Sequence, residues 1–207
     1  MFDTAQTKCR CSDQILKTKR EHLMTLGVGH GAYESSQTGS VAGVAAPVRP
    51  VPSGVLVLGI GNVLLCDDGA GVKLVGRLCA ELGAGAATFV DGGTLSFSLL
   101  SYIESTDSML VIDAAELEGV PGTVRLFEGV AMDRFLASVR RRTVHEVGLI
   151  DLLDMARLQD CLPRRRALLC IQPSLIDWSE TLSAAVAQAL PAAGRQAQDL
   201  LQRSTTT

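Results

Sequence analysis

From Val55 onward the chain repeats one pattern, in which a short apolar run that ends in Gly or Asp is followed by a stretch with helical spacing of apolar residues. Such alternation is typical of strands and helices arranged around a mostly parallel sheet. The sequence therefore predicts an α/β, three-layer fold with a mostly parallel twisted sheet of about five strands flanked by helices. The predicted strands are Val55–Gly59, Ala87–Val90, Met109–Ile112, Thr123–Phe127 and Ala167–Ile171. The predicted helices are Gly69–Leu82, Ser96–Glu104, His145–Leu158 and Ser179 to about Leu201, with an interruption at Pro191.

The first 53 residues differ in composition from the rest of the chain. A polar segment leads into a stretch rich in Gly, Ser, Ala and Pro, which cannot bury much apolar surface. We expect residues 1–53 to be a disordered extension and linker, or to lie upstream of the biological start. The remaining residues, 54–207, are numerous enough for one well-buried core, and we expect them to form a single domain.

Charge and hydropathy exclude several classes of partner. A net charge of −3 provides no broad attraction to nucleic acid or to an anionic membrane. No apolar stretch approaches the roughly 20 residues of a membrane span, and the N-terminus lacks the pattern of a signal peptide. We therefore expect a cytoplasmic location. We also expect the protein to be a monomer. The six cysteines show neither a disulfide framework nor paired CxxC motifs, so most of them are expected to be reduced core residues.

The first strand runs into a glycine-containing turn at Gly59 and Gly61, where a dinucleotide-binding fold would hold a pyrophosphate. The fingerprint then fails, because Leu64 replaces its third glycine and two acids, Asp67 and Asp68, lead into the helix, where they would repel a phosphate. An Asp at a helix start is most often a cap or a dipole partner. Two adjacent acids allow one to cap the helix while the other projects toward the crevice.

The third predicted strand ends in Asp113, directly after three large apolar residues. The carboxyl ends of parallel strands are where open sheets bind ligands. A carboxylate buried there without a partner would be costly, so Asp113 needs a cation, a set of hydrogen bonds or open solvent. It would equally serve as a cap for the turn through Ala114 and Ala115.

His145 is the only histidine outside the first 53 residues. It stands at the predicted start of a helix, where the positive end of the helix dipole favours a neutral imidazole, which is the metal-binding form. A lone histidine at a helix start is more often a surface residue than a ligand. However, Asp68, Asp113 and His145 all fall at one edge of the predicted sheet. One imidazole with two carboxylates suits a divalent transition metal such as zinc or nickel.

By these residues the chain resembles the nickel-iron hydrogenase maturation endopeptidases over about residues 55 to 190. The motifs that carry the resemblance are Leu58–Asn62 with Asp67–Gly71, Asp91–Thr94, Val111–Ala114, His145–Leu149 and Ile171–Pro173. The resemblance implies that Asp68, Asp113 and His145 are the metal ligands and the catalytic site. Many members of the family carry Glu at the first of these positions, where this chain has the shorter Asp68.

The resemblance also implies the reaction. The chain would remove a short C-terminal extension from the nickel-loaded precursor of the hydrogenase large subunit, and the nickel would be carried by that substrate. Zinc or cadmium could take its place in vitro. Two alternatives remain open at this stage: a nickel-binding chaperone or checkpoint protein that inspects the precursor without cutting it, and a Rossmann-like nucleotide-binding domain.

Overall fold

The computed structural model describes residues 54–94, 97–139 and 148–205. Five strands lie within these ranges: β1 (Val55–Ile60), β2 (Thr88–Gly93), β3 (Ser108–Ala114), β4 (Val124–Glu128) and β5 (Arg165–Ile171). The α-helices there are α1 (Ala70–Leu82), α2 (Leu100–Glu104), α3 (Val130–Val139), α4 (Leu149–Leu158) and α5 (Ala184–Thr205). Short 3-10 helices, Cys66–Gly69 and Phe97–Leu99, precede α1 and α2. The five predicted strands are thus confirmed to within two or three residues.

The strands form one sheet in the order β2-β1-β3-β5-β4. The pairs β1–β2, β1–β3 and β3–β5 are parallel, and β4 runs antiparallel to β5. All residues of β1 are buried, as a central strand covered on both faces requires. The predicted mostly parallel α/β sheet is confirmed.

Alternate residues of the strands face two separate cores, which give the domain three layers. One core holds Val55 and Val57 of β1 with apolar residues of α1 and α5. The other holds Leu56 and Leu58 of β1 with apolar residues of α2, α3 and α4. Helices therefore cover both faces of the sheet, and the two ends of the strands are left for loops.

Helix α3 was not predicted from the sequence. It contains Met132, Phe135 and Leu136, whose spacing is that of one helical face, and Met132 is fully buried. The Phe135 ring stacks on Phe127 of β4 with centroids 4.3 Å apart. The helical spacing was therefore present in the sequence, and it marks the side of α3 that covers the sheet.

The prediction that Pro191 interrupts the last helix was wrong. Helix α5 continues through Pro191, and it begins at Ala184 instead of Ser179. Proline removes the N–H that would bond to the carbonyl group of Ala187. Ala187 lies on the exposed side of α5, where water can satisfy that carbonyl group, so the helix persists. The start is set by Ser183, whose Oγ accepts a hydrogen bond from the N–H of Val186 at 3.3 Å.

The predicted start of α4 was also wrong. Gly148 has an extended backbone with φ −93° and ψ 177°, and the helix begins at Leu149. The N–H of Gly148 donates to the Asp151 carboxylate at 3.0 Å, which satisfies an amide just before the helix. His145 therefore precedes the helix by four residues and does not open it. The dipole of α4 therefore gives no reason to expect a neutral imidazole at His145.

Residues 1–53 lie outside the described residues, so the predicted extension and its boundary with the 54–207 domain stay predictions. Among the helices of the described residues, none has both the length and the hydrophobicity that a membrane span requires.

Candidate functional site

The order in which the chain adds strands to the sheet reverses at β1, between β2 and β3. After β1 the chain passes through α1 to β2 on one side, whereas β3 lies on the other side of β1. Such a switch point opens a crevice outside the carboxyl ends of the two strands, and open α/β sheets bind their ligands there. Asp68 follows β1 and Asp113 lies near the end of β3. The topology therefore brings these two predicted site residues to one crevice.

Glycines allow α1 to lie directly on the ends of the central strands. A Cβ atom at Gly71 would lie 2.2 Å from the carbonyl oxygen of Ile112, and one at Gly59 would lie 2.6 Å from the carbonyl oxygen of Gly71. Gly61 has a φ of +122°, and a Cβ there would lie 1.8 Å from the carbonyl oxygen of Asp68. The glycine-rich motif thus serves close backbone packing that carries Asp68 toward β3.

Asp68 is fixed by a contact within its own loop. Its Oδ2 accepts a hydrogen bond from the N–H of Asn62 at 2.6 Å, and the side chain is partly exposed. Asn62 in turn accepts the N–H of Leu64 through its Oδ1 at 3.0 Å. The loop after β1 therefore holds one carboxylate at the rim of the crevice.

Asp113 is half-buried and lies opposite Cys170 in the register between β3 and β5. Burial and then the negative charge of Asp68 raise the pKa of Asp113 from 3.8 to about 7, against a smaller lowering by a backbone hydrogen bond with Ala114. Throughout 54–94, 97–139 and 148–205, no Lys or Arg forms an ion pair with Asp68 or Asp113. The crevice thus holds two carboxylates whose mutual repulsion a bound cation would relieve.

The thiol of Cys170, which lies opposite Asp113 in register, is not suited to act as a nucleophile. The thiol is free and buried, and desolvation followed by the charge of Asp113 raises its pKa far above neutral pH. Cys66 is likewise free and buried, and its Sγ donates to the carbonyl oxygen of Thr181 at 3.1 Å. Both cysteines have structural positions, as the sequence indicated for Cys66.

Asp67, next to Asp68 in sequence, is fully buried. Its carboxylate accepts backbone N–H groups from Ser174 at 2.8 Å, Leu175 at 3.0 Å and Ser183 at 2.7 Å. Desolvation acts to raise the pKa of Asp67, but these hydrogen bonds outweigh it and the pKa is lowered. The prediction that one of the two acids caps α1 was wrong, because the residue before α1 is Gly69 and has no side-chain cap. Asp67 instead organises a distant loop.

That loop comprises residues 173–183 and is called the Trp178 loop below. It also pairs with the loop after β1: the N–H of Cys66 donates to the Ser179 carbonyl at 2.6 Å, and the N–H of Ser179 donates to the Leu64 carbonyl at 3.0 Å. The prediction of a helix from Ser179 onward was wrong for residues 179–183, and the link of this loop to Asp67 was not predicted. Ser183 as a helix cap was the signal that would have found the boundary.

Gln172, from the last recognised motif, is a structural residue. It is buried, and its Oε1 accepts the N–H of Leu117 at 2.7 Å while its Nε2 donates to Glu116 at 3.1 Å. These bonds fasten the loop after β3 to the end of β5. The loop that follows Asp113 is thereby held in place.

His145 lies outside the described residues, so the three predicted site residues are not seen together. The described ranges contain no group of three His, Cys, Asp or Glu side chains suited to a metal ion. The structure brings together Asp68 and Asp113, and the assignment of all three as ligands stays a prediction.

A cavity of about 380 Å³ lies at the opposite edge of the sheet, where the strands begin. Arg164, Arg165, Arg166 and Arg203 contribute to its lining. Arg166 is paired with Asp133, and Arg203 lies 3.7 Å from Glu128. The cavity is remote from Asp68 and Asp113 and has none of the acids of the crevice.

Comparison with known proteins agrees with this architecture. The model of a family described as hydrogenase maturation protease (HycI) matches residues 72–199. The hydrogenase expression/formation protein HupD of Rhizobium leguminosarum bv. viciae is 34% identical over 151 residues, which are 71% of this chain and 74% of HupD. HoxM of Cupriavidus necator, which has the same description, is 32% identical over 72% of this chain and 74% of its own length.

Solved structures give the same result. The hydrogenase maturating endopeptidase HybD of Escherichia coli superposes with a TM-score of 0.62 at 25% identity, covering 72% of this chain and 93% of HybD. The [NiFe] hydrogenase maturation protease HybD of Thermococcus kodakarensis superposes with a TM-score of 0.58 at 30% identity, covering 71% and 98%. The chain described here belongs to the hydrogenase maturation protease family.

Proposed function

We propose that this chain is the endopeptidase that removes a short C-terminal extension from the nickel-loaded precursor of a [NiFe]-hydrogenase large subunit. Asp68, Asp113 and His145 would bind the nickel that the precursor carries. The observation that supports this most is the convergence of Asp68 and Asp113 at the switch-point crevice, where no Lys or Arg among the described residues forms an ion pair with either. Two such carboxylates form a place for a cation, in keeping with the raised pKa of Asp113.

The chemistry of the ligands fits a transition metal. Carboxylate oxygen and imidazole nitrogen together bind divalent zinc or nickel, and two or three protein ligands leave coordination positions for the substrate. In vitro, zinc or cadmium would fill the same positions. Binding requires the deprotonated carboxylate, so a protonated Asp113 would release its proton as the metal binds.

The path of α4 supports His145 as the third ligand. Since β5 is parallel to β3 and α4 precedes it, α4 runs from the carboxyl edge of the sheet back to the amino edge. Its first residue, Leu149, therefore lies at the edge that carries Asp113, four residues after His145 in sequence. A stretch of four residues spans up to about 14 Å, which suffices to bring an imidazole to the crevice.

Hydrolysis of a peptide bond requires an activated water molecule and stabilisation of the oxyanion, and a bound divalent metal supplies both. The residues of this chain would orient the metal-bearing segment of the precursor. Asp68 is held by the N–H of Asn62, and β3 fixes the position of Asp113. These positions are set before the substrate arrives.

The test is to incubate the protein with the large-subunit precursor, loaded with nickel or free of it, and to measure intact masses. We expect the nickel-loaded precursor alone to lose its C-terminal peptide. Asp68→Asn and His145→Ala should reduce the rate at least a thousandfold, whereas Asp154→Asn, an exposed acid on α4, should leave it unchanged.

Normal processing by either site variant would contradict the assigned residues. A stable complex of wild-type protein and nickel-loaded precursor whose mass never changes would instead support the chaperone function. Equal cleavage of both forms of the precursor would refute recognition through nickel.

A further inference from the structure

Four large apolar side chains are exposed beside the candidate site. Leu64 follows β1, and Leu175, Ile176 and Trp178 belong to the Trp178 loop, with exposed fractions of 45%, 52%, 58% and 79%. Trp178 is the only tryptophan of the 207-residue chain. These four residues are called the Trp178 patch below.

Backbone pairing joins the loop after β1, which carries Leu64, to the Trp178 loop, which carries the other three residues. Leu65 and Ser179 form a parallel β-bridge, so Leu64 and Trp178, which precede them, are neighbours in register. Leu175 binds Asp67 twice: its N–H donates to the Asp67 carboxylate at 3.0 Å, and its carbonyl accepts the Asp67 N–H at 3.3 Å. The patch is therefore built onto the residue that directly precedes Asp68.

Clustering distinguishes this patch from other exposed apolar residues. Leu158 is 80% exposed at the end of α4, but it stands at the opposite edge of the sheet, and single exposed apolar side chains are ordinary. A group of four that includes a tryptophan, and of which Leu175 is hydrogen-bonded to a buried carboxylate, is instead typical of an interaction surface.

Charged groups at the rim of the patch indicate the chemistry of its partner. Asp177 and Glu180 are exposed within the loop. The Lys73 ammonium group donates to the backbone carbonyl of Glu180, not to its carboxylate. An apolar surface with an acidic rim suits a segment whose apolar side chains are flanked by Lys or Arg.

We propose that the Trp178 patch is the docking surface for the hydrogenase large-subunit precursor and binds an apolar segment of it next to the metal-bearing centre. This inference rests on the proposed function. Members of this family act on large-subunit precursors, and a protein whose metal is bound at Asp68 must cover the surface around that residue. The patch adjoins Asp68 through the loop after β1 and offers the apolar area that binding requires.

The first experiment compares Trp178→Ala and Ile176→Ala with Leu158→Ala as the matched control. The two patch variants should raise KM for the nickel-loaded precursor about tenfold, because truncation of an aromatic anchor commonly costs that much affinity, and kcat should change little. Leu158→Ala should change neither. Thermal unfolding of all three variants should match the wild type, because the truncated side chains are exposed.

The second experiment measures contact directly. Replacing the single tryptophan by 5-fluorotryptophan gives one ¹⁹F resonance, and unlabelled nickel-loaded precursor should shift it on binding. An unchanged resonance at saturating precursor, or a loss of kcat without a rise in KM in the patch variants, would overturn the proposal. So would self-association of the wild type that Trp178→Ala abolishes, which would assign the patch to a second copy of this chain.

These readouts separate the two proposals. If wild-type protein fails to cut the precursor but the precursor still shifts the ¹⁹F resonance, the docking surface stands and the protease function falls. If the wild type cuts and the patch variants cut with an unchanged KM, the docking proposal alone falls.

Discussion

Two regions at the carboxyl edge of the sheet each contain an aspartate, and their electrostatics are opposite. Around Asp67, three backbone N–H groups compensate for burial and the pKa of that carboxyl is lowered. At the end of β3, burial and the charge of Asp68 raise the pKa of Asp113 to about 7. The first region uses a negative charge to hold the fold together. In the second region, ionisation of Asp113 lowers the stability of the folded protein. Such an unfavourable charge is typical of a functional position.

The largest stability effect is expected in the first region. Asp67→Ala should lower the free energy of unfolding by about 3 to 5 kcal/mol, because three backbone N–H groups lose a charged acceptor that is itself fully buried. Urea denaturation at pH 7 measures the change. A loss below about 1 kcal/mol would show that the Trp178 loop is held without Asp67.

The structural role of Asp67 also has a pH dependence. Its native pKa is lowered, so its stabilising contribution is present above the unfolded pKa and is lost as pH falls through the native pKa. The difference between the wild type and Asp67→Ala should therefore shrink at strongly acidic pH. A constant difference across that range would show that the charge contributes nothing.

The opposite sign is expected in the second region. Between pH 3.8 and about 7 the native protein retains the Asp113 proton that the unfolded chain has lost, so metal-free stability falls as pH rises through this interval. Asp113→Asn removes this penalty and should stabilise the metal-free protein by on the order of 2 to 4 kcal/mol at pH 8. The gain should vanish near pH 4, as thermal unfolding at both pH values would show.

If Asp113 is a metal ligand, Asp113→Asn should have opposite effects on metal-free stability and on metal binding. The same variant that is more stable without metal should have lost nickel affinity, which isothermal titration calorimetry measures. A variant that is less stable than wild type at pH 8 would place Asp113 with Asp67 among the structural acids.

The smallest expected effect concerns the repulsion between the two site residues. Asp68→Asn removes the charge that is the second cause of the raised pKa of Asp113. The pKa of Asp113 should therefore fall but stay above 3.8, because burial, the larger cause, persists. NMR titration of the ¹³C-labelled carboxyl group measures the shift. An unchanged pKa would mean that the two carboxylates do not face one another.

The sequence predicts features that depend on neighbouring residues and periodicity. The five strands and the parallel sheet followed from apolar runs, and Asp68 and Asp113 were brought to one edge by the rule that parallel strands end together. The helix α3 had a clear apolar spacing at Met132, Phe135 and Leu136, and a count of that spacing would have found it.

Features that depend on distant contacts could not be predicted in this way. The partners of Asp67 are more than a hundred positions away, and nothing near Asp67 in sequence distinguishes an anchor from a helix cap. The continuity of α5 through Pro191 likewise depends on which side of the helix faces solvent, which is set by packing on the sheet. Local sequence patterns indicate which secondary structures are favoured, and tertiary contacts determine which of them forms.

The close contacts at Gly59 and Gly71 determine which substitutions can alter the spacing between α1 and the central strands. At Gly59 and Gly71, backbone atoms of α1 and of β1 and β3 approach so closely that a Cβ atom would not fit. Substitutions elsewhere in the two cores can therefore alter side-chain volumes without changing the spacing at this point. A side chain at Gly59 or Gly71 would push α1 away from the strand ends and would so change the separation of the two carboxylates.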